Sequence, residues 1–179
     1  SNTVLLKYGG MKKYRKYKWV TVNLALHLNA SDIISYSGSG TTWVDLSNNT
    51  NNATLQNGVS FVGENGGQFL FDGVNDYASV GSSLSVTNAL TIDSWIKPAN
   101  ISGTKAIISQ DGNAAGSFQL ILDGSNLKFV FQGQQVKTAN YTFKAGEWVH
   151  VMTVFNQASN SIKFYINGSL MNTASYSNV

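Results

Sequence analysis

Hydrophobic residues recur at every second position through most of this chain, in short runs broken by Asn-Gly and Asp-Gly pairs. Val22, Leu24, Leu26 and Leu28 alternate with Asn23, Ala25, His27 and Asn29. Phe118, Leu120 and Leu122 alternate with Gln119 and Asp123, and Phe129 and Phe131 with Lys128 and Gln132. Ile162, Phe164 and Ile166 alternate with Lys163, Tyr165 and Asn167. A period of two puts successive side chains on opposite faces of a half-buried strand. In the segment from Leu90 to Lys97, Leu90, Ile92, Ser94 and Ile96 share one face, and Thr91, Asp93, Trp95 and Lys97 share the other. The run WVHVMTVF, from Trp148 to Phe155, is apolar on both faces and predicts a central strand.

Turn pairs separate these runs: Asn57-Gly58, Asn65-Gly66, Asp72-Gly73, Asp111-Gly112, Asp123-Gly124 and Asn167-Gly168. Such pairs favour the positive φ of tight turns. Hairpins are predicted at Asp123-Gly124 and Asn167-Gly168. With one proline and no amphipathic helical pattern, the chain reads as all-β, an antiparallel β-sandwich or jelly roll.

A length of 179 residues sets one domain as the starting expectation. The chain has no cysteine, so disulfides and thiolate metal sites are excluded. No apolar run approaches the ~18 residues of a membrane-spanning helix. The charge divides the chain. Lys7, Lys12, Lys13, Arg15, Lys16 and Lys18 supply six of the twelve cations before residue 20, and no acid accompanies them. The remainder carries six lysines against nine acids, a net charge of −3. The expected organisation is a basic, aromatic N-terminal arm over 1–19 and a β-rich body over 20–179.

Catalytic patterns are sparse. Glu64 and Glu147 are the only glutamates, far apart and each beside a Gly-rich turn. His27 and His150 fall within strands and read as sheet-face residues. A phosphate-binding loop is absent, since the glycines mark turns.

The body resembles the laminin-G-like branch of the concanavalin A-like lectin/glucanase superfamily. LALHLNASD (24–32) is similar to the family's opening strand, and GTTWVDLSNNTNNATLQNG (40–58) to its polar loop. FLFDGVNDYASVG (69–81), LTIDSWIKP (90–98), FQLILDGSNLKFVF (118–131), AGEWVHVMTVF (145–155) and IKFYINGSL (162–170) follow in the family's order. The resemblance covers roughly residues 22–172 and implies a concanavalin A-like sandwich. It also implies a glycine-rich segment and an acidic closing strand after the last hairpin. The sequence ends at Val179 without them. Either the usual closing strand is lacking, or another segment such as the arm fills its place.

The family's glucanases cluster carboxylates on one strand, and retaining hydrolysis needs two carboxyls ~5–5.5 Å apart. This chain has no E-x-D-x-E pattern, so the expected function is non-catalytic binding. Family members often bind calcium through Asp side chains and backbone carbonyls. The matching positions are Asp45 and Asp72, which could equally close turns through local hydrogen bonds. Asp93, Trp95 and Lys97 give one strand face the composition of a glycan-binding surface. Alternatively, Trp95 packs beneath a loop or a neighbouring strand.

The wording S-G-S-G-T-T-W-x-D-L-S (37–47) also resembles domains of phage and viral structural proteins. The expected role is a virion-surface or appendage component recognising glycans or a host surface. The expected location is the virion, the extracellular space or a cell surface. The alternatives are a capsid or fibre assembly protein and, third, a glycan-active hydrolase. In the assembly reading, Lys12, Lys13, Tyr14, Arg15, Lys16, Tyr17, Lys18 and Trp19 form the subunit-contacting arm, lying away from the sandwich core. Nucleic acid is not the expected partner, because the acidic body would repel a phosphate backbone.

Overall fold

The computed structural model describes residues 2–7, 22–81, 83–84, 86, 88–110, 116–132, 134–138 and 141–176, with the backbone alone at 2–7, 65 and 134–137. Two compact units emerge, one over residues 3–83 and the other over residues 84–179 together with residues 1–2.

Among the described residues, the first unit holds seven short strands: β1 (Asn2–Lys7, its first residue counted with the other unit), β2 (Leu24–Asn29), β3 (Thr42–Trp43), β4 (Ala53–Gln56), β5 (Ser60–Val62), β6 (Gln68–Leu70) and β7 (Tyr77–Val80). β3, β4 and β7 form an antiparallel sheet in that order, and β5 pairs with β6. The core of this unit is aromatic. Phe69 meets Trp43 and Tyr36 edge-on, with ring centroids 4.6 and 4.7 Å apart. Burial raises the Tyr36 phenol above its ordinary pKa, and its hydroxyl donates to Gly40 O at 2.8 Å. Gly67 has a φ of +88°, and a Cβ there would lie 2.5 Å from Ala30 O. Only glycine fits that approach.

Two features depart from the sequence reading. Residues 1–19 were expected to lie away from the core, yet Asn2–Lys7 form β1. This strand runs parallel to β2, from Thr3 opposite Leu24 to Lys7 opposite Asn29. The physical reason lies in composition: Thr3, Val4, Leu5 and Leu6 are uncharged and β-compatible, and the cation run begins only after them. Residues 12–19 lie outside the described residues. The second departure is Val22, which stands 74% exposed in a turn before β2 instead of on its apolar face. Asn23, with a φ of +59°, turns the chain there.

The second unit is a sandwich with eight strands among the described residues: β8 (Ala89–Ile96), β9 (Thr104–Gln110), β10 (Phe118–Asp123), β11 (Asn126–Phe131), β12 (Gln134–Lys137), β13 (Val149–Asn156), β14 (Ser161–Ile166) and β15 (Ser169–Ser175). One layer runs β15-β14-β13-β8 and the other β12-β11-β10-β9, with every pairing antiparallel. The predicted alternation appears as burial. Phe118, Leu120, Leu122, Phe129 and Phe131 point inward from one layer, and Val151, Phe155 and Phe164 from the other. The layers meet where Phe155 lies 4.3 Å from Phe131 and 5.8 Å from Phe129, centroid to centroid. Burying one such ring contributes roughly 1.5–3 kcal/mol.

Both predicted hairpins form. In the β10–β11 turn Asp123 pairs with Asn126, and in the β14–β15 turn Ile166 pairs with Ser169. Asn167 and Gly168 have φ values of 49° and 81°, as a turn with two left-handed residues requires. WVHVMTVF contributes the central strand β13, flanked by β8 and β14.

Candidate functional site

The outer face of the β8–β13–β14–β15 layer gathers the chemistry. Leu90, Ile92 and Ser94 of β8 turn into the core, so Thr91, Asp93 and Trp95 turn outward and are part-buried. On β13, Val149, Val151, Thr153 and Phe155 are buried, leaving His150, Met152 and Val154 on the outer face. The antiparallel register sets His150 opposite Trp95 and Met152 opposite Asp93. It then sets Tyr165 of β14 opposite Met152, and Leu170 of β15 opposite Tyr165.

Asp93 and His150 reach each other diagonally. His150 Nε2 donates to Asp93 Oδ2 at 3.0 Å. Their side chains are 24% and 19% exposed, sheltered by the sheet yet open to a ligand. The Trp95 and His150 rings lie 5.3 Å apart with a 43° tilt. The strand end is fixed as well: His150 N donates to Asn167 Oδ1 at 3.0 Å, and Asn167 N donates to His150 O at 2.9 Å. Lys97, just past β8, is exposed and enters no described ion pair. Of the three face residues singled out in the sequence, the structure therefore joins Asp93 and Trp95 through His150.

This arrangement suits a sugar. An aromatic ring offers an apolar platform, and a carboxylate beside it accepts hydroxyl hydrogen bonds while an imidazole fixes its orientation. Among the described residues, Asp93 is the one carboxylate on this face. Glu64 lies in a 3₁₀ turn (Glu64–Gly66) of the other unit, and Glu147 pairs with Lys144 at 3.8 Å before β13.

His150, Met152, Tyr165 and Leu170 were not singled out as site residues in the sequence. Alternation alone places them on an outward face. Their register against Asp93 comes from strand pairing across more than fifty residues, which no local pattern carries.

Asp45 and Asp72 both accept hydrogen bonds from backbone N–H groups, the turn-closing alternative to a calcium ion. Asp45 is buried, and both its oxygens already face protons. Oδ1 accepts from His27 N and Ser47 N, each at 2.8 Å, while Oδ2 accepts from Ser47 Oγ at 2.6 Å and Asn51 N at 2.9 Å. A cation would have to displace these donors and collect six or more oxygens. Asp72 Oδ1 accepts from the N–H groups of Val74, Asn75 and Asp76. The Val74 hydrogen bond, aided by those of Asn75 and Asp76 against a desolvation effect of opposite sign, holds its carboxyl below the usual range. Among the described residues no three His, Cys, Asp or Glu side chains gather as a metal site.

Comparison with known proteins places this architecture. A family model described as the concanavalin A-like lectin/glucanases superfamily matches residues 71–179. The binding domain of botulinum neurotoxin serotype D is similar in structure, with a TM-score of 0.58 and 17% identity over 78% of this chain. So is a structure of botulinum neurotoxin type C, which enters cells in dependence upon two ganglioside molecules, with a TM-score of 0.53 and 15% identity over 81% of this chain. A carbohydrate-binding protein candidate from Bacteroides ovatus aligns at a TM-score of 0.44 and 12% identity over 69% of this chain. The chain spans 38%, 40% and 31% of the lengths of these three structures. At such identities the likeness is one of fold. No curated protein matches the chain. The alternating strands, the two-layer sandwich and the family match together make this chain a member of the concanavalin A-like lectin/glucanase superfamily.

Proposed function

We propose that this chain is a non-catalytic glycan-binding module that acts at a surface. The observation that carries this reading is the Asp93–His150 hydrogen bond beside the Trp95 ring on the outer sheet face. One carboxylate, held by an imidazole and flanked by an indole, can grip a sugar. Among the described residues, no second carboxylate of the kind that glycoside hydrolysis uses in most families stands on this face. Membership of a lectin-containing superfamily supports the reading. So does likeness of fold to a neurotoxin whose cell entry depends on gangliosides, a likeness that carries nothing about the charge of the sugar bound here.

The finer setting is an extracellular, cell-surface or virion-surface location. Support for the virion comes from the resemblance of residues 37–47 to phage and viral structural domains. In that setting the basic arm, Lys12 to Trp19, makes contacts with neighbouring subunits. Charge reversal at Lys12, Lys13, Arg15, Lys16 and Lys18 then abolishes assembly and spares the fold.

A glycan array probed with the wild-type protein and with Trp95→Ala tests the binding reading. Binding by the wild type that the variant loses supports it. Turnover of a β-glucan by the purified protein would overturn the non-catalytic assignment.

A further inference from the structure

We infer that the site takes a neutral, linear oligosaccharide lying across the strands, in preference to a single terminal sugar. This inference rests on the glycan-binding reading above and concerns the shape and charge of the ligand. The register aligns Asp93, Met152, Tyr165 and Leu170 in one row across β8, β13, β14 and β15. All four side chains belong to the same face, because residues paired across antiparallel strands project together. Three strand spacings of about 4.8 Å give a row of roughly 14 Å, room for about three sugar rings end to end.

The composition of the row graduates along its length. Asp93 stands at one end, with His150 fixing its carboxylate and Trp95 one step along β8. Met152 and Tyr165 follow, both part-buried. Leu170 closes the row at 51% exposure. One polar anchor followed by apolar and aromatic steps suits successive ring faces of a chain whose first unit is held by hydrogen bonds. A terminal monosaccharide would use the Asp93 end and leave Tyr165 and Leu170 in water.

Charge fixes the second property. Asp93 is the only Asp, Glu, His, Lys or Arg in the row. Lys163 lies two residues along β14 from Tyr165, and Lys97 lies four residues along from Asp93. The spacing is about 3.3 Å per residue, so the backbones of these lysines stand roughly 7 and 13 Å off the row. A uronic or sialic acid bound in the row would bring its carboxylate to that of Asp93 without a cation between them.

Calorimetric titration with neutral gluco-, xylo-, manno- and galacto-oligosaccharides of one to six units, and with acidic counterparts, tests this. Expected is a rise in affinity of about tenfold or more from one unit to four for at least one neutral series. Tyr165→Ala should flatten that rise, while Tyr165→Phe keeps it. A melting curve verifies that each variant is folded. Equal affinity for one and four units, insensitivity to Tyr165→Ala, or a preference for acidic chains would overturn this inference and leave the glycan-binding reading standing. Binding of no sugar, here or on the array, would overturn both.

Discussion

Trp95 and His150 stand directly opposite each other on neighbouring antiparallel strands, and their rings lie 5.3 Å apart. The imidazole thus has two neighbours at once. Its face flanks the indole, and its Nε2–H donates to Asp93. Removing it should act on both the platform and the hydrogen-bond acceptor.

His150→Ala is expected to weaken glycan binding about tenfold, the equivalent of 1.4 kcal/mol. Stability should fall by only about 1 kcal/mol, because the group is partly open to solvent. His150→Gln, whose amide can still donate to Asp93, should recover part of the affinity. Titration beside a thermal melt separates the two effects. A loss confined to the melt would make His150 a strut for the sheet alone.

Phe155 joins the two layers of the sandwich through Phe131, Phe129 and Tyr176. Phe155→Ala should cost about 3–5 kcal/mol, the usual range for deleting a fully buried ring. At roughly 2–4 °C per kcal/mol, the melting temperature drops by about ten degrees. Urea unfolding measures the cost directly. A change under about 1 kcal/mol would mean that the core refills the space.

Asp45 closes the 45–52 loop by accepting four hydrogen bonds. Asp45→Ala leaves those donors without their acceptor and should destabilise the protein by about 2–4 kcal/mol. Melts of the wild type in calcium and in chelator should superimpose. A rise of several degrees with calcium would show an ion where the hydrogen bonds now lie.

Asp72 supplies a pH test. Its carboxyl titrates below the ordinary value of 3.8, chiefly because Val74 N–H donates to it. The folded state therefore holds fewer protons than the unfolded chain in that acidic window, and stability rises with pH there. The contribution is present above the ordinary value and is lost as pH falls through the lowered one. The melting gap between wild type and Asp72→Ala should be steady at neutral pH and narrow only below about pH 4. A gap that closes between pH 5 and 7 would point to another group.

Much of the fold was legible because each strand of the second unit announces itself locally. The alternation at Phe118–Leu122 and Ile162–Ile166, and the turns at Asp123-Gly124 and Asn167-Gly168, are short-range signals that the structure follows. β1 was obscured because the lysines that follow it dominated the reading of 1–19 as one charged segment. Asp93 and Trp95 were legible as neighbours on one strand face. Their partner His150 was not, since its position depends on which strands pair and in what register. The role of Asp45 was left between ion and turn. Its four donors come from His27, Ser47 and Asn51, and a composition cannot say which way an N–H points.

Asp93 and His150 are separated by 57 positions in the chain. Closing a loop of that length costs on the order of 3–4 kcal/mol of chain entropy before any contact repays it. The β9–β12 layer must also be accommodated within the interval. The Asp93–His150 surface therefore has no precursor in a hairpin or a partly folded fragment and comes into being when β8 and β13 meet. A ligand that recognises it binds only completed molecules, and by mass action slows their return to the unfolded chain.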